Sequence, residues 1–190
     1  MTTSANFGNM FSMAGAALFL PFLPLLPKQV LLNNFLSDFP AMAIATDTVD
    51  DEWIERPRRW DIHFIRKFML AFGFISSVFD FMTFAALLYL LRATPVQFQT
   101  AWFLESLLTE LLIVAVIRTR RPLHKSKMGR PLFWATVVVL AVTVALPYLP
   151  GSELLGFVPL PPVYWLVLGV ITLLYLLASE WTKKIVYRMQ

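Results

Sequence analysis

Six apolar runs follow one another along this chain, each near the ~20 residues that a helix needs to cross a bilayer. Inside hydrocarbon every backbone N–H and C=O must find its partner within the protein, so runs of this kind become helices. They fall at about residues 5–26, 28–46, 64–91, 100–117, 131–149 and 161–179. Pro21 and Pro24 make the end of the first irregular, and Pro27, Thr94-Pro95 and Pro150-Gly151 mark turns between runs. The expected fold is all-α, a polytopic membrane protein whose residues 1–190 form one bundle of six transmembrane helices. Composition agrees. The chain is 58% hydrophobic with mean hydropathy +0.66, whereas soluble domains run nearer ~45–50% apolar.

Charge sets the expected orientation. The loop between runs two and three carries Arg56, Arg58, Arg59, Arg66 and Lys67, and the loop between runs four and five carries Arg118, Arg120, Arg121, Lys125, Lys127 and Arg130. Lys183, Lys184 and Arg188 follow the last run, and only Lys28 and Arg92 fall on the other side. By the positive-inside rule both termini and the two basic loops face the cytoplasm. The same loops suit anionic lipid headgroups. A net charge of +4 is small for a nucleic-acid binder, so the expected partner is the lipid bilayer. The absence of cysteine excludes disulfides and thiolate metal sites. The N-terminus, Met1-Thr-Thr-Ser-Ala-Asn6, lacks the basic segment of a cleaved signal peptide.

Four acids lie within the apolar runs: Asp38, Asp80, Glu105 and Glu110. A carboxylate at mid-bilayer costs ~2.5–3.5 kcal/mol or more, which makes it a functional-site candidate. At ~1.5 Å per residue, Asp38 lies ~15 Å past Pro27, Asp80 ~18 Å before Arg92 and Glu110 ~15 Å after Thr100. All three come near the middle of a ~30 Å core, while Glu105 lies nearer the outer face and is left out of the ligand set. Asn34, Ser37 and Asp38, at i, i+3 and i+4, gather oxygens on one helical face. Asn6 and Asn9 share a face of the first run, with Gly8 between them to allow close helix approach. Oxygen ligands suit a hard cation such as Mg²⁺. The candidate metal set is therefore Asn6, Asn9, Asn34, Ser37, Asp38, Asp80 and Glu110. Interhelical hydrogen bonding is an equally physical use for Asn6 and Asn9, and a simple kink for Pro40.

No phosphate-binding loop and no Asp-Lys-Thr-Gly motif occur, so no catalytic residue and no ATP site are assigned. His63 and His124 read as solvated loop residues, and Asp47-Thr-Val-Asp-Asp-Glu52 as a solvated hinge without the glycine of a calcium loop.

Together these segments resemble the C-terminal membrane half of P-type cation-transporting ATPases, most closely the bacterial magnesium-transporting type. The resemblance is carried by Ser4-Ala-Asn-Phe-Gly-Asn9, Phe19-Leu-Pro-Phe-Leu-Pro24, Asn33-Asn-Phe-Leu-Ser-Asp-Phe-Pro40, Asp47-Thr-Val-Asp-Asp-Glu52, Pro57-Arg-Arg-Trp60, Ser76-Ser-Val-Phe-Asp80 and Ile117-Arg-Thr-Arg-Arg-Pro122. It implies that the six runs correspond to the fifth through tenth helices of such a pump. Asn6 and Asn9 then match fifth-helix ligand positions, and Asn34, Ser37 and Asp38 sixth-helix ones. Asp80 matches a seventh-helix acid and Glu110 an eighth-helix polar position. Calcium-type relatives carry a glutamate where Asn9 stands, so the amide favours Mg²⁺ as the transported ion. Glu110 is more acidic than the magnesium-type pattern.

The resemblance also marks what is expected to be missing: the actuator, phosphorylation and nucleotide domains and four earlier helices. A separate chain carrying them is the implied partner, the bacterial inner membrane the implied location, and ATP hydrolysis by this chain alone is not expected. An autonomous six-helix channel or carrier, and a structural or regulatory subunit, are the rival readings.

Overall fold

The computed structural model describes residues 2–47, 62–119, 126 and 128–188, and among these there is no strand. Among the described residues six α-helices follow in order: α1 Thr2–Ala16, α2 Pro27–Ala43, α3 Ile62–Ala85, α4 Pro95–Ile117, α5 Arg130–Ala145 and α6 Pro162–Arg188. Four helical stretches among the described residues are long and apolar enough to cross a bilayer: Arg66–Leu90, Pro95–Ile117, Arg130–Tyr148 and Pro162–Val186. The chain is thus an all-α membrane protein.

α1 and α2 are shorter, at 15 and 17 residues. α1 stops at Ala16, earlier than the apolar run suggests, and the chain from 17 to 26 is irregular. Pro21 and Pro24 explain this: each lacks an N–H, and each drives its preceding residue out of the α region. α2 then starts with Pro27 in its first turn, where a missing N–H costs nothing. Gln29 Oε1 accepts the Leu26 N–H at 3.0 Å. α3 ends in a wide turn in which the Leu91 N–H reaches Ala86 O and the Ala93 N–H reaches Leu87 O, both at 2.9 Å. Arg92 closes it in the left-handed region, φ 48°. Thr94 and Gln97 then cap α4 reciprocally, with Pro95 between them.

α4 touches each of the other five helices. Eighteen of its 23 residues are buried, as its apolar character all the way round requires. Phe84, Phe98, Trp102, Phe103 and Phe157 form the heart of the larger core. Phe68, Phe72, Ile113, Ile117, Tyr175 and Val186 form a second one. The outward faces of α5 and α6 present Trp134, Val138, Leu166, Val170 and Leu173, which suits lipid contact. α1 lies along α3 at very short range. A Cβ on Gly8 would stand 2.8 Å from Ser76 Cβ and 3.0 Å from Gly73 O, and the Ser77 hydroxyl donates to Gly8 O at 3.2 Å. This is the close approach that small residues permit.

Polar ties hold both ends of the bundle. At one end Gln29 Nε2 donates to Leu155 O at 3.2 Å and Gly156 O at 3.1 Å, and Lys28 Nζ donates to Leu154 O. Gly156 needs both its φ of +80° and its missing side chain, since a Cβ would stand 2.7 Å from Leu26 Cδ1. At the other end Arg118 pairs with Asp47 at 2.8 Å, both side chains buried. Asp47 also accepts the Gly129 N–H at 2.7 Å, and Arg118 reaches the Ser126 hydroxyl at 3.1 Å. The reading of the acidic run as a solvated hinge therefore fails at Asp47, and its residues 48–52 lie outside the described residues, as does His124. Lys183 is also buried, with Nζ donating to Val116 O at 3.0 Å and to Glu180 at 2.9 Å. Among the described residues, Lys28, Arg118 and Lys183 thus tie parts of the bundle together whatever they contribute to orientation.

Candidate cation centre

Glu105 and Glu110 both stand on α4 and both are buried. Five residues separate them, so they project ~140° apart and ~7.5 Å apart along the axis. The central helix therefore presents one carboxyl to each of two different neighbours.

Glu110 faces α2. Asn33 Nδ2 donates to Glu110 Oε2 at 3.2 Å, and the Ser37 side chain also lies against this carboxyl. The Ser37 hydroxyl donates to Asn34 O at 3.1 Å, one turn back along its own helix. Among the described residues, Glu110 Oε1, Asn33 Oδ1 and the Ser106 hydroxyl one turn before Glu110 are buried without a hydrogen-bond partner. Pro40 lies on the same buried stripe of α2. Because proline has no N–H, the Leu36 carbonyl lacks its usual i+4 donor there.

Asp80 sits elsewhere, between α1, α3 and α4. Its Oδ2 accepts the Ser12 hydroxyl at 2.6 Å and its Oδ1 the Trp102 indole N–H at 2.9 Å. The Glu105 carboxyl lies beside it.

The seven residues expected to bind a cation are thus divided. Ser37 and Glu110 meet directly. Asn34 is half-buried on α2, and Asp38 is exposed among Leu31, Phe35, Phe39 and Met42 on the outward stripe of that helix. Asn6 and Asn9 are half-buried on α1, and Asn6 Oδ1 is itself without a partner. Asp80 belongs to the second cluster. No three Asp, Glu or His side chains converge among the described residues, so amides and hydroxyls supply much of the oxygen at either place.

The sequence alone did not single out Asn33, Ser12 or Trp102, and Glu105 was left out of the ligand set on its depth. Asn33 was legible as part of the stripe Gln29, Asn33, Leu36, Ser37, Pro40, which recurs at helical spacing. Ser12 and Trp102 carry no such local signal, because their partner is on another helix.

A multi-helix membrane protein with acidic and amide side chains buried between its spans is the class that this fold defines. The chain belongs to the family described as cation transporting ATPase, C-terminus, whose model matches residues 22–185. It is 43% identical over 194 residues to magnesium-transporting ATPase, P-type 1, of Escherichia coli strain K12, covering 97% of this chain and 22% of that protein. Two proteins of the same name from Salmonella typhimurium strain LT2 are 41% and 37% identical, again over 97% of this chain and 22% and 21% of their own length. The chain thus spans about a fifth of the length of these relatives.

Proposed function

We propose that this chain is the part of a P-type pump that carries Mg²⁺ through the bacterial inner membrane, with both termini on the cytoplasmic side. The observation that carries this reading is the Glu110–Asn33–Ser37 cluster, whose spare oxygens are buried between two helices without donors. A bare carboxylate there is costly, and a hard cation that accepts oxygen ligands offsets the cost. Asn34 and Asp38 extend the cluster along α2, Asn6 and Asn9 supply amides from α1, and Asp80 adds a further acid on the ion's route. Mg²⁺ keeps several of its waters when bound, which suits a mixed set of amides, hydroxyls and carboxylates.

The outward position of Asp38 fits this reading. An aspartate cannot face hydrocarbon cheaply, so in the working pump further protein covers the outward stripe of α2. The relatives' greater length is in keeping with such a cover, whether it comes from the same chain or another. Phosphorylation in the cytoplasm would then move α1 against α3 and alternate the access of the cluster to the two sides.

Mg²⁺ transport into proteoliposomes tests the reading, with this chain joined to the cytoplasmic domains and earlier helices that the resemblance implies. ATP-dependent flux that is lost in Glu110→Gln is the expected result. Flux that proceeds without ATP would favour a channel, and flux untouched by Glu110→Gln would remove this carboxyl from the ion path.

A further inference from the structure

Asp80 and Glu105 lie side by side, each about 1% exposed, at the junction of α3, α4 and α6. Two buried carboxyls in contact repel one another when both are charged, and a structure built only for stability would replace one of them. Each Asp80 oxygen is already aimed by a donor, Ser12 on one side and Trp102 on the other. Both oxygens of Glu105, by contrast, are buried without a hydroxyl, amide or indole donor among the described residues, and the side chain this carboxyl meets is Asp80. The buried Tyr175 side chain at the same junction lies against Ser179 and Ser76 and is within electrostatic reach of Asp80 and Glu105. The Ser179 hydroxyl is fully buried, with the Tyr175 side chain beside it. Tyr175 is held in place by an edge-to-face contact with Phe79, ring centroids 5.4 Å apart.

We propose that Asp80, Glu105, Tyr175 and Ser179 form a second site for a hard divalent cation, separate from the cluster around Glu110. Two carboxylates match a charge of +2, and every ligand is an oxygen, as such cations require. Ser12 and Trp102 orient Asp80 as outer hydrogen-bond partners orient metal-binding carboxylates elsewhere. Glu105 and Glu110 project in different directions from α4, so one ion cannot be shared directly between them. The choice of ion rests on the reading of the chain as a cation-transport domain, while the geometry of the site does not.

Mn²⁺ stands in for Mg²⁺ in a titration followed by electron paramagnetic resonance, on the purified chain in lipid nanodiscs. Carboxylates at the surface bind equally in all variants and cancel in the differences. The expected result is that Glu105→Gln loses one equivalent of Mn²⁺ and Glu110→Gln loses a different one, so that the double variant loses both. Tyr175→Phe removes a single oxygen while keeping the ring on Phe79, and is expected to weaken the Glu105-dependent equivalent several-fold. Unchanged stoichiometry in Glu105→Gln together with unchanged affinity in Tyr175→Phe would overturn the second site. If only the Glu110-dependent equivalent is absent, the second site stands and the reading of the Glu110 cluster falls.

Discussion

Asp38 and Asp80 are both aspartates set within helices that are mostly apolar, and the fold treats them in opposite ways. Asp80 is sealed among α1, α3 and α4 with a donor on each oxygen. Asp38 stands exposed on α2 between phenylalanines that also face outward. The first is part of what holds the bundle together, and the second has little to do with the stability of these helices. A carboxylate within an apolar stretch is thus not one kind of residue. Its role follows from whether the protein has already supplied its hydrogen bonds.

That contrast predicts a graded series in thermal unfolding. The largest effect is expected at Trp102, fully buried in the core and a donor to Asp80. Trp102→Ala should destabilise by about 3–5 kcal/mol; a loss below 1 kcal/mol would mean that this interface is not the firm half of the molecule. Asp80→Asn keeps the shape but misplaces one donor against Ser12, and should cost about 1–3 kcal/mol. A stabilised Asp80→Asn protein would show instead that the charge is harmful to the resting fold and is retained for another purpose. Gly8→Ala sets a methyl group 2.8 Å from Ser76 Cβ, and the expected loss is about 1–3 kcal/mol as α1 is pushed off α3. A neutral Gly8→Ala would show that α1 can shift along α3 at little cost.

The same contrast explains what was legible in the sequence. Hydropathy located α3 to α6 because a long apolar run has one outcome in lipid, and the turn at Thr94-Pro95 was visible in its own residues. The early end of α1 was harder to place, since Pro21 and Pro24 mark irregular chain but not the residue at which the helix gives way. On α2, the reading of Asn34, Ser37 and Asp38 as one face was too coarse. Asn33 and Ser37 turn inward to Glu110, and Asp38 stands about 100° round from Ser37. Glu105 was set aside on depth alone, whereas its neighbour Asp80 is on another helix and the pairing exists only in three dimensions. Asp47 was read as solvated for the same reason, because Arg118, which pairs with it, lies far along the chain, and Lys183 was read only as an orientation signal because Val116 is equally distant.

The smallest structural effect and the largest functional one are expected to meet at Asp38. Asp38→Asn should change the stability of this chain by less than about 0.5 kcal/mol, as a surface substitution does, and in the assembled pump Mg²⁺ flux driven by ATP should be lost. Flux through the Asp38→Asn protein, measured beside its unfolding temperature, is therefore the most direct test of the claim that α2 lines an ion path. Lost flux with an unchanged unfolding temperature is the result this account predicts. Full flux in the Asp38→Asn protein would contradict it.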